Sequence, residues 1–210
     1  MKLLIATTNP AKIDHYRRYF KSLDHTLEIY SLIDLDPDHK LPEPIETGEN
    51  EAQNSILKAK YYKQNLSFSG LVFAEDSGMT LHGVDVDDNP KKEIKKPIIE
   101  KFGKVTPENF VNYYSNLALK YGGRIDQEWV FGYTLMDDDK IITKILKKPS
   151  ILVSEIREPL YIGYPLNSVT KVLRNGGELY LSQLDTEEWE NYWGNQVVEL
   201  LNELLTPFIN

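Results

Sequence analysis

The sequence predicts an α/β domain with a mixed central sheet flanked by helices, and three observations carry that reading. The chain opens on an apolar strand that runs into a helical pattern and then into a second strand, the mark of a β-α-β unit. Further along, Asp137-Asp138-Asp139 and Asn175-Gly176-Gly177 separate strand-like segments at hairpin spacing, which adds antiparallel strands. No linker-like stretch, repeat or low-complexity run divides the 210 residues, so residues 1–210 read as a single domain.

The elements follow in order. A strand over 2–7 leads to a helix over 10–22, whose Ile13, Tyr16, Tyr19 or Phe20, and Leu23 keep helical spacing. A strand near 26–31 precedes an acidic, proline-bearing loop from Asp34 to Pro44. A helix over 50–65 comes next, then a short buried strand over 71–74. Residues 83–97 are polar and read as a loop. Thr106-Pro107-Glu108 opens a helix to about Tyr121 with Phe110, Val111, Tyr114, Leu117 and Ala118 on its apolar side, and Gly122-Gly123 closes it. Strands are expected near 127–136, 140–147 and 150–156, the first two joined by the Asp137–Asp139 turn. Thr170–Leu173 and Glu178–Leu181 form the second hairpin. Thr186-Glu187-Glu188 caps a last helix that buries Val197, Val198, Leu201, Leu204 and Leu205.

Composition narrows the function classes. A chain of this length with 41% hydrophobic and 11% aromatic residues buries a sizeable core. A net charge of −8 opposes broad binding to nucleic-acid polymers or acidic membranes, whereas one nucleotide needs only a local cluster of lysines and a divalent ion. The absence of cysteine rules out disulfides and thiolate chemistry and fits a reducing compartment. Met1 leads straight into a strand and no apolar run approaches membrane length, so a cytoplasmic, soluble protein is expected. His15, His25, His39 and His82 are scattered without zinc spacing, and GxSxG is absent.

Three segments carry candidate chemistry. In Leu71-Val72-Phe73-Ala74-Glu75-Asp76-Ser77-Gly78, an apolar strand ends in two adjacent carboxylates, a hydroxyl and a glycine, either a solvated turn or an acid pair placed for metal chemistry at a strand end. At the amino terminus, Thr7-Thr8-Asn9-Pro10-Ala11-Lys12 puts an N-cap asparagine and a first-turn proline ahead of a lysine. That is either an ordinary capped helix or an anion site built from turn amides, helix dipole and ammonium. Glu46-Thr47-Gly48 precedes a helix with Asn54 and Lys58 four apart on one face, which is otherwise just the wet side of that helix. Lys91, Lys92, Lys95 and Lys96 form either a solvated charge run or a supply of charge for phosphates.

In this order and spacing, the segments resemble the inosine/xanthosine triphosphate pyrophosphatase family, which removes non-standard purine nucleotides. The family pattern T-x-N-x-x-K, E-T-G, E-N-A-x-x-K-A and D-D-S-G appears here as Thr7–Lys12, Glu46–Gly48, Gln53–Ala59 and Glu75–Gly78. The resemblance implies two lobes around a cleft, possible homodimers, and Mg²⁺-dependent hydrolysis of nucleoside triphosphates to monophosphate and pyrophosphate. It implies Glu46 and Asp76 as metal ligands, with Glu75 beside them, and Asp76 as the base. Thr8, Asn9, Lys12, Lys58 and Ser77 would hold the triphosphate, and Tyr161 and Tyr164 would stack on the base.

The second half departs from the family pattern. Tyr161-Ile162-Gly163-Tyr164-Pro165 stands in place of F-G-[YW]-D-P and lacks the aspartate. Glu190–Gln196 stands in place of K-N-x-x-S-H-R with no basic residue, and Gln53 replaces the helix glutamate. Two alternatives therefore accompany the enzyme reading: a nucleotide-binding paralogue with lost or altered catalysis, and a phosphohydrolase acting on another phosphorylated substrate.

Overall fold

A computed structural model describes residues 1–23, 26–38, 40–174 and 176–209. Its strands are β1 (Lys2–Ile5), β2 (Glu28–Ser31), β3 (Leu71–Leu81), β4 (Arg124–Met136), β5 (Ile141–Val153), β6 (Thr170–Arg174) and β7 (Gly177–Tyr180). They form one seven-stranded sheet in the order β2-β1-β3-β4-β5-β6-β7. Pairing of β1 with β2 and β3 is parallel, and that of β6 with β5 and β7 is antiparallel, so the expected mixed sheet is present. The helices are α1 (Pro10–Leu23), α2 (Leu32–Leu35), α3 (Glu51–Asn65), α4 (Lys96–Phe102), α5 (Pro107–Lys120), α6 (Thr186–Trp189) and α7 (Asn195–Ile209). No helix among the described residues is long and apolar enough to cross a membrane.

The chain divides into two compact units. The first comprises Met1–Asp76, Phe131–Leu146 and Glu190–Asn210. In it, β1 and β3 bury both faces, which explains their continuous apolar runs. Leu3, Ile5, Leu71 and Phe73 pack on one side with Tyr16, Tyr19 and Phe20 of α1 and Val197, Leu201 and Leu204 of α7. Leu4, Ala6, Val72 and Ala74 pack on the other with Ala59 and Tyr62 of α3. The second unit comprises Ser77–Val130 and Lys147–Trp189. Its core joins Met79, Leu81, Ile125 and Leu152 to Phe110, Val111, Tyr114, Leu117 and Ala118, the predicted apolar stripe of α5.

Several boundaries differ from expectation. The strand expected to stop at Ala74 continues to Leu81, so Asp76-Ser77-Gly78 is mid-strand rather than a turn. The two strands expected at 140–147 and 150–156 are one, β5, running through Pro149. A proline is tolerated there because the β6 ladder starts beyond it, pairing Ile151 with Lys171 and Leu152 with Thr170. The polar stretch 83–97 holds a 3₁₀ turn, Val86–Asp88, and the start of α4. The carboxyl-terminal helix is broken by a π-helical turn over Glu190–Gly194. Its cap is Asp185, whose carboxylate accepts from the Glu188 amide at 2.9 Å while Glu188 accepts from the Asp185 amide at 3.0 Å. Asp137 makes the expected hairpin turn, its Oδ1 accepting from the amides of Asp139 and Lys140. In the other hairpin Gly176 takes a left-handed φ of 79°, while Asn175, like His25 and His39, lies outside the described residues.

Candidate active site

The site is built within the first unit on three elements. β1 ends at Ile5, and the Ala6 amide still donates to the Phe73 carbonyl, which keeps the Thr7–Asn9 exit beside β3. Asn9 caps α1: its Oδ1 accepts from the Ala11 amide at 3.0 Å, and Pro10 takes the first helical position. The Asn9 amide donates to Thr7 Oγ1 at 3.3 Å. Thr8 is exposed, and its hydroxyl donates to Glu43 Oε1 at 3.4 Å. With Leu32, Asp36, Leu41, Glu43 and Tyr62 it lines a cavity of about 400 Å³.

The adjacent carboxylates do not act as a pair. Successive strand residues point to opposite faces of the sheet. Glu75 therefore falls on the α1 side with Leu71 and Phe73, and Asp76 on the α3 side with Val72 and Ala74. Both Glu75 oxygens are taken by α1, Oε1 by the Lys12 ammonium at 3.0 Å and Oε2 by the Tyr16 hydroxyl at 2.9 Å. Lys12 and Tyr16 are one turn apart, so they clamp the carboxylate from one helix face.

Asp76 meets α3. Asn54 Nδ2 donates to its Oδ2 at 3.1 Å, and Lys58 Nζ donates to its Oδ1 at 3.3 Å. The other side of the Asn54 amide accepts from the Gly48 N–H at 2.8 Å, tying the Glu46–Gly48 loop to the same residue. A Cβ on Gly48 would stand 2.6 Å from Asn54 Oδ1, so glycine is required for this close approach. Lys58 also donates to the Glu75 carbonyl at 3.1 Å and pairs with Glu46 at 2.9 Å. One ammonium thus holds the carboxylates of Glu46 and Asp76, which cannot be further apart than its two contact distances, 2.9 and 3.3 Å, end to end. The expected convergence of these two residues is met.

Electrostatics follow from burial. Desolvation pushes the Asp76 carboxyl above its ordinary range and Glu46 adds to the rise, against Lys58 and the Asn54 hydrogen bond. Desolvation also opposes the charged form of Lys58, but the fields of Asp76 and Glu46 outweigh it and raise its pKa. Among the described residues, no three His, Cys, Asp or Glu side chains are grouped so as to hold a metal ion. Glu46 and Asp76 are the carboxylates that converge.

Two residues the motifs did not flag position α3. A Cβ on Gly132 of β4 would lie 2.5 Å from the Glu51 carbonyl, so the helix start rests directly on strand backbone. Ser55 shares a buried hydrogen bond with Thr134 of the same strand at 2.7 Å. A glycine inside a strand pattern is the one local signal that marks such an approach. Gln53 accepts from the Glu49 amide at 2.9 Å and so braces the helix start.

The remaining expected residues belong to the second unit. Ser77 follows Asp76 on β3 and is half-buried. Tyr161 is exposed, and Tyr164 packs its ring 6.4 Å from that of Trp189.

Comparison with known proteins meets this geometry at its amino-terminal part. Residues 3–87 match the Ham1 family, a stretch that includes Thr8, Asn9, Lys12, Glu46, Lys58, Glu75, Asp76 and Ser77 but neither the Lys91–Lys96 run nor Tyr161 and Tyr164. A dITP/XTP pyrophosphatase of a Thermoanaerobacter species is 35% identical over 79 residues, 38% of this chain and 36% of that protein. A dITP/XTP pyrophosphatase of Oceanobacillus iheyensis is 33% identical over 84 residues, 40% of each. The chain thus matches only about two-fifths of the length of these curated relatives. The fold likeness runs further. A HAM1 protein structure from Coxiella burnetii superposes with a TM-score of 0.74 over 99% of both chains at 17% identity, so the whole described chain shares the Ham1 fold.

Proposed function

We propose that this protein is a Mg²⁺-dependent nucleoside triphosphate pyrophosphatase that hydrolyses non-standard purine nucleotides to monophosphate and pyrophosphate. One observation carries the reading: the Lys58 ammonium joins the carboxylates of Asp76 and Glu46, while the Lys12 ammonium pairs with Glu75 next along the same strand. Two close carboxylates beside phosphate-binding lysines are what a metal-assisted phosphoryl site needs. The names of the dITP/XTP pyrophosphatases that this chain resembles point to the same chemistry.

The donor set fits a hard divalent cation. Magnesium takes oxygen ligands and commonly only one or two carboxylates, the rest being water and phosphate. Glu46 and Asp76 already share one cationic partner, the Lys58 ammonium, and would hold the metal. When bound there it would neutralise charge on the phosphate oxygens. Glu75 takes a different part in this reading. With both oxygens committed to Lys12 and Tyr16, it orients Lys12 instead of ligating.

Asp76 would take the proton of the attacking water. The water oxygen bonds to the α-phosphorus, the bond from the α-phosphorus to the α-β bridging oxygen breaks, and pyrophosphate leaves. Thr8, Asn9, Lys12, Lys58 and Ser77 would hold the phosphates, and Tyr161 and Tyr164 would stack on the base.

The test is pyrophosphate release over a panel of nucleoside triphosphates with Mg²⁺. Release from ITP and XTP, with the monophosphate as second product, supports the enzyme. Binding of nucleotides without any release establishes the nucleotide-binding paralogue instead. That second reading is favoured by one observation, the lack of any basic residue in Glu190–Gln196.

A further inference from the structure

Lys58 is the most heavily committed cation of the site. Its three protons meet three acceptors: Glu46 Oε1 at 2.9 Å, the Glu75 carbonyl at 3.1 Å and Asp76 Oδ1 at 3.3 Å. Its side chain is only 16% exposed, so these contacts are weakly screened. The same two carboxylates are the ones proposed above to hold the divalent cation, and this inference rests on that reading. An ammonium and a metal ion cannot both occupy the space between a pair of oxygens that close.

We infer that Lys58 couples divalent-cation binding to phosphate binding. In the free protein its ammonium cross-links Glu46 and Asp76 and competes with the cation for them. Once displaced, the ammonium needs a new anion, because a buried charge left unpaired is costly. The phosphate chain supplies that anion. The cation therefore binds weakly alone and well together with phosphates, and by linkage each partner tightens the other by the same factor. Lys12 does not cross-link the two carboxylates, since its ammonium is bonded to Glu75 on the opposite face of β3.

The experiment is calorimetric titration of the full chain with Mg²⁺, cross-checked by electron paramagnetic resonance with Mn²⁺, in the absence and presence of pyrophosphate. In the wild-type protein, pyrophosphate should tighten metal binding by roughly 5- to 150-fold, the usual span of a coupling between sites. Lys58→Met should bind the bare metal at least about five times more tightly than wild type and lose most of the pyrophosphate effect. Lys12→Met, which removes the same charge nearby, should leave bare-metal affinity within about twofold of wild type, a difference well below 1 kcal/mol. Equal bare-metal affinities of the wild type and Lys58→Met, with both folded by circular dichroism, overturn the inference. So does an equal gain in both lysine variants, which would mean a general field effect. These readouts need no turnover. A chain that hydrolyses nucleotides but shows no gain in Lys58→Met refutes the coupling alone, and a gain without hydrolysis of any nucleotide refutes only the activity.

Discussion

Asp76→Asn is the most direct probe of the chemistry. Asparagine keeps the shape and an oxygen for Asn54 but cannot take a proton from water. Turnover should fall by at least about 10²-fold, the usual scale for a lost general base, with the thermal transition still cooperative. A steady-state assay on the folded variant decides it, and wild-type-like turnover removes the role. At this scale the sequence showed which residue types matter but not how they are shared out. The run Glu75-Asp76 reads as an acid pair because the two are neighbours in the chain. Inside an uninterrupted strand the same adjacency sends one to α1 and the other to α3. The partner of Asp76 is Glu46, thirty residues away, and only the ordered set of motifs connected them.

Helix α3 carries Asn54 and Lys58, so whatever seats it also sets the site. Gly132→Ala would drive a methyl group into the Glu51 backbone, which cannot swing aside as a side chain can. Overpacking of this kind costs about 1–3 kcal/mol, so we expect a lower denaturation midpoint and weaker metal binding from the displaced helix. The contact was illegible beforehand because a strand glycine carries no side-chain pattern to name its partner. The capping box at Ser31 was also missed, hidden in an acidic stretch that reads as loop. There Asp34 accepts from the Ser31 amide at 2.7 Å and from its hydroxyl at 2.8 Å, and these bonds hold its carboxyl below the ordinary range. A depressed carboxyl contributes stability above its unfolded pKa and loses it as pH falls through the folded one. Asp34→Asn should accordingly lower the melting temperature at pH 7, and the gap from wild type should close below about pH 4, the ordinary aspartate value. Melting curves across that range test the sign.

Across the molecule, family likeness in sequence ends near residue 87, while likeness of fold covers the chain. Strand-helix alternation and hairpin turns made the fold readable throughout, because they follow from backbone geometry and burial. Candidate chemistry could be proposed in detail only where motifs survive, between Thr7 and Gly78. The segments expected at the nucleoside end lack an aspartate after Gly163-Tyr164 and any basic residue in Glu190–Gln196. Strong discrimination requires polar groups that the wrong ligand leaves unpaired, whereas stacking on tyrosine accepts every base. We expect kcat/KM for ITP and XTP to exceed that for ATP and GTP by less than about a hundredfold. Side-by-side measurement at fixed Mg²⁺ settles this, and a preference above about 10³ would show that a residue outside the motifs reads the purine.

The bond from the Gly48 amide to Asn54 has a spectroscopic consequence. Glycine amides resonate in a sparsely populated region of a ¹⁵N correlation spectrum, and this one is buried in a loop that otherwise faces water. Its proton exchanges with solvent only when Asn54 lets go, and Asn54 is anchored in turn by Asp76. The exchange rate of a single peak therefore reports, without any nucleotide or metal, whether loop, helix and strand are joined. Asn54→Ala should erase that protection while leaving the amides of β1 and the buried start of β3 slow.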